Sequence, residues 1–236
     1  PLIQQMESNP KIVIAQPKIK SYREKEKFEY AGAAGGFIDF LGYPFCQGRM
    51  FNDLETDEGQ YNETKEIFWA TGACMFIKSS VFKSLGGFDE RYFAHMEEID
   101  LCWRAKNTGY SVFYIPSSQV YHLGGGTMKN TNPQKTFLNF RNSLLTLYKN
   151  DQSPYRIIKI LIRLTLDLLA FVKLLIDSGP AHALSIPKAH FSFYGMEKHR
   201  SKIENPNLKG MYNSSIVADY FLLGRKKFSQ LKKAFI

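Results

Sequence analysis

The chain lacks most of the features that classify a protein at a glance. Only three of its 236 residues are cysteine, at Cys46, Cys74 and Cys102, and no two of them form a Cys-x-x-Cys pair. Three thiols cannot all pair within one chain, which argues against a disulfide framework and for reduced, small apolar residues in a cytoplasmic protein. The five histidines are not grouped with the cysteines, so a zinc site has no support. No charged stretch leads into an apolar run at the N-terminus, so none reads as a signal peptide. No charge-free apolar run approaches the roughly 18 residues of a spanning helix. Internal repeats and low-complexity stretches are absent, and 44% hydrophobic with 14% aromatic residues excludes wholesale disorder.

Acidic residues are scarce in the last third. Residues 1–153 carry 17 basic and 17 acidic side chains, whereas residues 154–236 carry 14 and 5, so the whole net charge of +9 lies there. A neutral body with a basic tail suggests an anionic partner, a membrane surface or a nucleic acid. A nucleic acid is set aside, because the tail has no platform of interleaved aromatic and basic residues.

The body alternates strand-like and helix-like stretches. Pro1 to Pro10 reads as the end of a helix already under way, and Lys11 to Gln16 as a short buried strand. Ala31 to Phe45 is Gly-rich and predicts a loop with short extended pieces. Phe51 to Lys65 reads as a solvated acidic loop, and Ile67 to Ile77 as a buried strand-like run. Ser79 and Ser80 precede a short helix that stops at Gly86 and Gly87. Glu98 to Asn107 predicts a helix ended by Gly109. Tyr110 to Ile115 is a strand closed by Pro116, with Val120 to Leu123 a second. Gln134 to Lys149 has helical periodicity. This alternation favours an α/β fold, with a mixed sheet and flanking helices.

After Pro154 the pattern becomes helical and strongly apolar. In Ile157 to Ile176 the charges Lys159, Arg163, Asp167 and Lys173 fall within an arc of about 120° at 100° per residue. The rest of the circumference is almost wholly apolar. Such a helix either packs on the body or lies in a membrane interface with Lys159, Arg163 and Lys173 toward the headgroups. The basic surroundings favour the membrane, which makes residues 154–236 a basic, helical, membrane-associating extension.

The densest chemical signal is Gly86 to Arg104, GGFDERYFAHMEEIDLCWR. Three carboxylates, Glu97, Glu98 and Asp100, stand at a helix start, and Arg104 lies one turn after Asp100. Acids at a helix N-terminus are ordinary complements of its dipole, which accounts for one or two of them. Downstream come GYSVFYIP, VYHLGGGT and FLNFRNSLLTLYK, and upstream TGACMFIKSSVF. In this order the segments resemble the C-terminal half of inverting family-two glycosyltransferases of the GT-A fold, above all the rhamnosyltransferase-like members that build bacterial surface polysaccharides. The resemblance covers about residues 1–150 well and extends more loosely to Lys188 to Tyr194.

The resemblance implies transfer of a sugar from a nucleotide-diphosphate donor to a hydroxyl of a saccharide acceptor, lipid-linked, at the cytoplasmic face of the membrane. The family's usual Glu-Asp-x-Asp-Leu-Cys-x-Arg stands here as Glu97 to Arg104, with Glu98 where Asp is common. That position supplies the general base, and Glu97 is the alternative. His122 matches a histidine that helps ligate a divalent cation, Mg²⁺ or Mn²⁺; a lone histidine is otherwise a packed core residue. Thr127 follows three glycines in a loop that would close on the diphosphate, and Arg141 would face the phosphates or stand on a helix surface. Trp69, Thr71 and Gly72 sit where the family lines its acceptor pocket, although a strand tryptophan equally suits a core.

The family's Asp-x-Asp metal motif is missing from the chain. The reading is therefore that residues 1–153 form the acceptor-side half of the transferase domain, with the nucleotide-binding half upstream. A truncated, non-catalytic scaffold that binds acceptor or membrane is the alternative.

Overall fold

The structure, a computed structural model, describes residues 1–124, 132–232 and 234–236. The chain divides into two compact units. One comprises Pro1–Gly87, Leu101–Gly124 and Lys202–Ile236, the other Phe88–Asp100 and Gly125–Ser201. These units cut across the compositional boundary near residue 153.

The first unit holds helix α1 (Leu2–Ser8) and strands β1 (Ile12–Ser21), β2 (Gly36–Asp39), β3 (Pro44–Cys46), β4 (Arg49–Met50), β5 (Asp53–Leu54), β6 (Lys65–Ile67) and β7 (Phe76–Ile77). Helix α2 (Ser79–Ser84) follows, and later β8 (Ser111–His122), β9 (Met211–Tyr212) and α7 (Ile216–Phe221). Helix α3 (Glu97–Asn107) crosses the division between Asp100 and Leu101.

Four strands form one sheet in the order β6-β8-β1-β7. β1 and β8 run parallel, and β6 and β7 pair with them antiparallel, so the sheet is mixed as expected. The predicted break at Pro116 is instead an irregularity within one strand. Pro17 pairs with Ile115 and Lys18 with Gln119, so residues 116–118 form a bulge, as suits a proline that cannot donate to a ladder. α1 lays Leu2 and Met6 on Ile12, Ala15 and Ile115.

The Gly-rich stretch gives the short strands of a second sheet, ordered β5-β4-β3-β2-β9. The C-terminal residues return to it, where Phe228 and Phe235 stack among Phe37, Phe45 and Tyr212. Residues 202–236 are therefore part of this unit and not of an extension.

Ile67 to Ile77 is not one strand, because the chain turns at Gly72 and Ala73 between β6 and β7, with the Cys74 N–H donating to the Thr71 carbonyl at 3.2 Å. The acidic loop is not simply solvated. Asp57 is paired with Lys18 at 2.8 Å and Lys20 at 3.2 Å, and Glu55 accepts from the Tyr61 hydroxyl at 2.9 Å.

The second unit packs α4 (Pro133–Asn150), α5 (Arg156–Asp177) and α6 (Pro180–Gly195) around Leu138, Leu144, Leu145, Ile186, Ala189 and Phe193. Asn132 caps α4 by accepting from the Gln134 N–H, with Pro133 in the first turn. α5 is amphipathic as predicted, but its faces are reversed. Arg163 and Asp167 are each 1% exposed. Arg163 donates to Ser143, Asp167 meets His190 at 2.8 Å, and Lys159 meets Asp151 at 2.9 Å. Ile157, Leu161, Leu168, Leu169, Val172 and Ile176 face outward, each at least half exposed. Lys159 and Arg163 are thus spent on neighbouring helices and do not point to headgroups. Among the described residues, no helix is long and apolar enough to cross a membrane.

Candidate functional site

The chemistry-bearing stretch of the second unit begins at Asp89. Its side chain accepts from the Arg91 N–H at 3.1 Å and caps a single 3₁₀ turn, Glu90–Tyr92. Lys149 reaches the same carboxylate at 2.6 Å. Burial disfavours its ionised form, but the hydrogen bonds from Arg91 and Lys149 outweigh that and hold it well below the usual carboxylate range.

The chain then makes a rare turn. Phe93 has φ 63° and ψ −57°, and the Ala94 N–H donates to the Tyr92 carbonyl at 2.8 Å, closing a three-residue γ-turn. His95 and Met96 also have positive φ, 68° and 74°. Each such residue costs on the order of 1–3 kcal/mol, so the surroundings must hold the segment in place.

They do so from α4. The side-chain amide of Asn142 donates to the carbonyls of Tyr92, Ala94 and His95 at 3.0, 2.8 and 2.7 Å. Arg141 donates to the carbonyls of Arg91 and Tyr92 at 2.9 and 3.0 Å, and its Nε–H meets the Asn142 Oδ1 at 2.9 Å. The guanidinium that sequence reasoning offered to phosphates is thus bonded to backbone carbonyls.

α3 starts directly after this turn. Glu97 and Glu98 are both half-buried in its first turn. Glu97 Oε2 is enclosed without a hydrogen-bond partner among the described residues, and burial raises the pKa of this carboxyl. A cavity of about 370 Å³ is lined by Phe88, Asp89, Glu90, Phe93 and Glu97. Asp100 differs from its neighbours. It is fully buried and accepts from the Tyr92 hydroxyl at 3.1 Å, the Asn150 amide at 2.8 Å and Lys149 at 2.9 Å. These bonds make it a brace between α3 and α4.

The first unit holds the other predicted residues. His122 ends β8 with its Nδ1 3.2 Å from Glu29 Oε2. One imidazole and one carboxylate suit Mg²⁺ or Mn²⁺ chemically, yet among the described residues no group of three or more His, Cys, Asp or Glu is placed to hold a metal. Among the described residues, His122 and Glu29 alone do not complete such a site.

Trp69 is 4% exposed, donates its indole N–H to the Phe37 carbonyl at 2.8 Å, and lies flat on Gly36, where a Cβ would meet the ring at 2.2 Å. It occupies a core position. Thr71 is buried against Gly32, with its N–H bonded to Gln16 Oε1 at 2.9 Å, while Gly72 stands beside it with open space around it. Thr127 lies outside the described residues.

The structure therefore gathers Glu97, Glu98, Asp100 and Arg141 in one unit and Trp69, Thr71, Gly72 and His122 in the other. Sequence reasoning missed Phe93, Glu29 and the role of Asn142. The Arg-Asn dipeptide was visible, but nothing local shows that its donors meet a turn about 50 residues earlier.

A carboxylate pair fixed at a helix start, beside a cavity with aromatic walls, is an arrangement suited to taking a proton from a bound hydroxyl. No family model matches the chain. It is 35% identical over 88 residues to the N-acetylglucosaminyl-diphospho-decaprenol L-rhamnosyltransferase of Mycobacterium tuberculosis, a stretch covering 37% of this chain and 28% of that enzyme. It is 35% identical over 65 residues to rhamnosyltransferase WbbL of Escherichia coli K12, covering 28% of this chain and 24% of that protein. A third relative is the low-salt glycan biosynthesis hexosyltransferase Agl10 of Haloferax volcanii, 27% identical over 106 residues, covering 43% and 34%. The chain is thus similar to rhamnosyltransferase-like glycosyltransferases of glycan biosynthesis, and the similar stretch spans about a quarter to a third of their length.

Proposed function

We propose that the chain is the acceptor-side part of an inverting glycosyltransferase that moves a sugar from a nucleotide-diphosphate donor to a hydroxyl of a saccharide acceptor, lipid-linked, in surface-polysaccharide synthesis. The observation that carries this reading is the pair Glu97–Glu98, set at the start of α3 by the Asn142 clamp. In this reading one carboxylate removes the acceptor hydroxyl proton as the oxygen attacks the anomeric carbon. The bond from that carbon to the diphosphate breaks, the diphosphate leaves with its electron pair, and the configuration inverts. Glu98 holds the base position by motif; Glu97 faces the cavity and is the neighbour to test beside it.

The acceptor side would include Thr71 and Gly72, with Trp69 supporting them from the core. Thr127 belongs to the same proposal, as the diphosphate contact. A divalent cation, Mg²⁺ or Mn²⁺, belongs to the same proposal, with His122 as the one ligand this chain would offer. In the full-length transferase, Glu98→Gln is expected to lower turnover by roughly 10²–10⁴-fold in a radiolabelled sugar-transfer assay, since glutamine keeps the shape but cannot accept the proton. Loss of turnover in Glu97→Gln alone would move the base by one residue, full activity in both variants would place the base outside this pair, and no transfer by the unaltered protein would defeat the transferase reading.

The partner of α5 in this proposal is a lipid surface at the inner face of the cell membrane. What supports it is the outward apolar arc of the helix.

A further inference from the structure

The cavity at the start of α3 carries more than the general base. Phe93 is 82% exposed, although a phenylalanine at positive φ is strained and its ring gains nothing from solvent. Five hydrogen bonds from Arg141 and Asn142 hold the turn that presents it. The cavity it lines, about 370 Å³, falls within the ~300–1,000 Å³ of small-ligand sites. Phe88, itself 43% exposed, gives a second apolar wall. Glu90 and Glu97 line the same cavity, and Glu97 Oε2 lacks a donor among the described residues.

A pyranose has the matching chemistry. One face is a patch of C–H groups that lies against an aromatic ring, and its rim of hydroxyls donates to carboxylates. We propose that Phe93 is the stacking platform of a saccharide subsite, with Phe88 as its second wall and Glu90 and Glu97 as hydroxyl acceptors. This rests on the transferase reading and assigns the acceptor sugar's place within it. It also moves the ring that receives the acceptor from Trp69, which is buried, to Phe93, which is not.

The test begins with binding and uses the whole chain. 4-Fluorophenylalanine at position 93 is titrated with methyl N-acetylglucosaminide and methyl rhamnoside, with sorbitol as a polyol that has no ring face. A saturable fluorine shift with a pyranoside and none with sorbitol is expected. No shift with either pyranoside, or an equal shift with sorbitol, overturns the proposal. In the transfer assay, Phe93→Ala should raise the acceptor KM about tenfold while the donor KM holds, and Phe93→Tyr should restore it. An unchanged acceptor KM in Phe93→Ala, with turnover still lost in Glu98→Gln, defeats the platform and leaves the transferase reading intact. No sugar transfer by the unaltered enzyme defeats that reading, while the fluorine titration still decides whether a sugar binds.

Discussion

Asn142 shows how a single side chain sets the geometry of a reactive neighbourhood. Its amide serves three carbonyls of a strained turn, and it is fully buried. Asn142→Leu keeps the approximate volume but takes this donor from the Ala94 and His95 carbonyls, while Tyr92 keeps the bonds from Arg141 and the Ala94 N–H; the cost is on the order of 1–3 kcal/mol for each buried group left unsatisfied. The variant should melt at lower temperature by calorimetry and lose turnover, because Glu97 and Glu98 follow the turn directly. An unchanged melting temperature would show that the clamp carries no strain. Asp100 carries a parallel lesson. By spacing it belongs with the catalytic acids, but its bonds to Tyr92, Asn150 and Lys149 give it a bracing role. Spacing placed the carboxylates on one helix turn; only the donors from α4 distinguish the brace from the acids beside the cavity.

At the scale of elements, α5 is the most informative. Helical periodicity showed an apolar arc and a charged arc, and the structure contains both. Periodicity is silent about which arc faces inward, because a buried ion pair and a buried leucine stripe give the same pattern. Here Arg163–Ser143, Asp167–His190 and Lys159–Asp151 fix the charged arc inward. With those side chains turned inside the unit, vesicle binding by α5 should be mainly hydrophobic. Liposome co-sedimentation is expected to show binding that survives high salt better than a purely basic tail would, since screening weakens only the exposed charges. Leu168→Glu with Val172→Glu should abolish it, as two carboxylates would then have to enter the apolar layer. Unaltered sedimentation in that double variant would show that α5 is not the lipid-facing element. The strands give a second case. β8 runs through Pro116 because its partner β1 is long enough to take up a three-residue bulge, a fact about pairing that no local propensity contains.

For the whole molecule, two carboxylates tie distant segments together, one in each unit. Asp57 joins Lys18 and Lys20, and Asp89 joins Arg91 and Lys149. In both, burial opposes the charge but the hydrogen bonds win and depress the pKa. A depressed carboxylate contributes stability that is fully present above the unfolded value near 4 and is lost as pH falls toward the folded one. Thermal stability should therefore drop below about pH 4, and Asp57→Asn and Asp89→Asn should each flatten that acid limb in melts recorded across pH; an acid limb as steep as that of the unaltered chain in both variants would refute the assignment. Legible in the sequence are the α/β alternation, the helices over α3, α4 and α5, the carboxylate run, and a likeness to glycosyltransferases that the curated relatives support. These are legible because periodicity, glycine stops and ordered motifs are local properties of a chain. Tertiary structure alone decided that residues 202–236 return to the first unit, that Trp69 is core, that α5 faces outward with its apolar side, and that Arg141 and Asn142 grip a strained turn. Each of these depends on which distant groups satisfy a buried donor, acceptor or charge, and that pairing is settled only when the chain closes on itself.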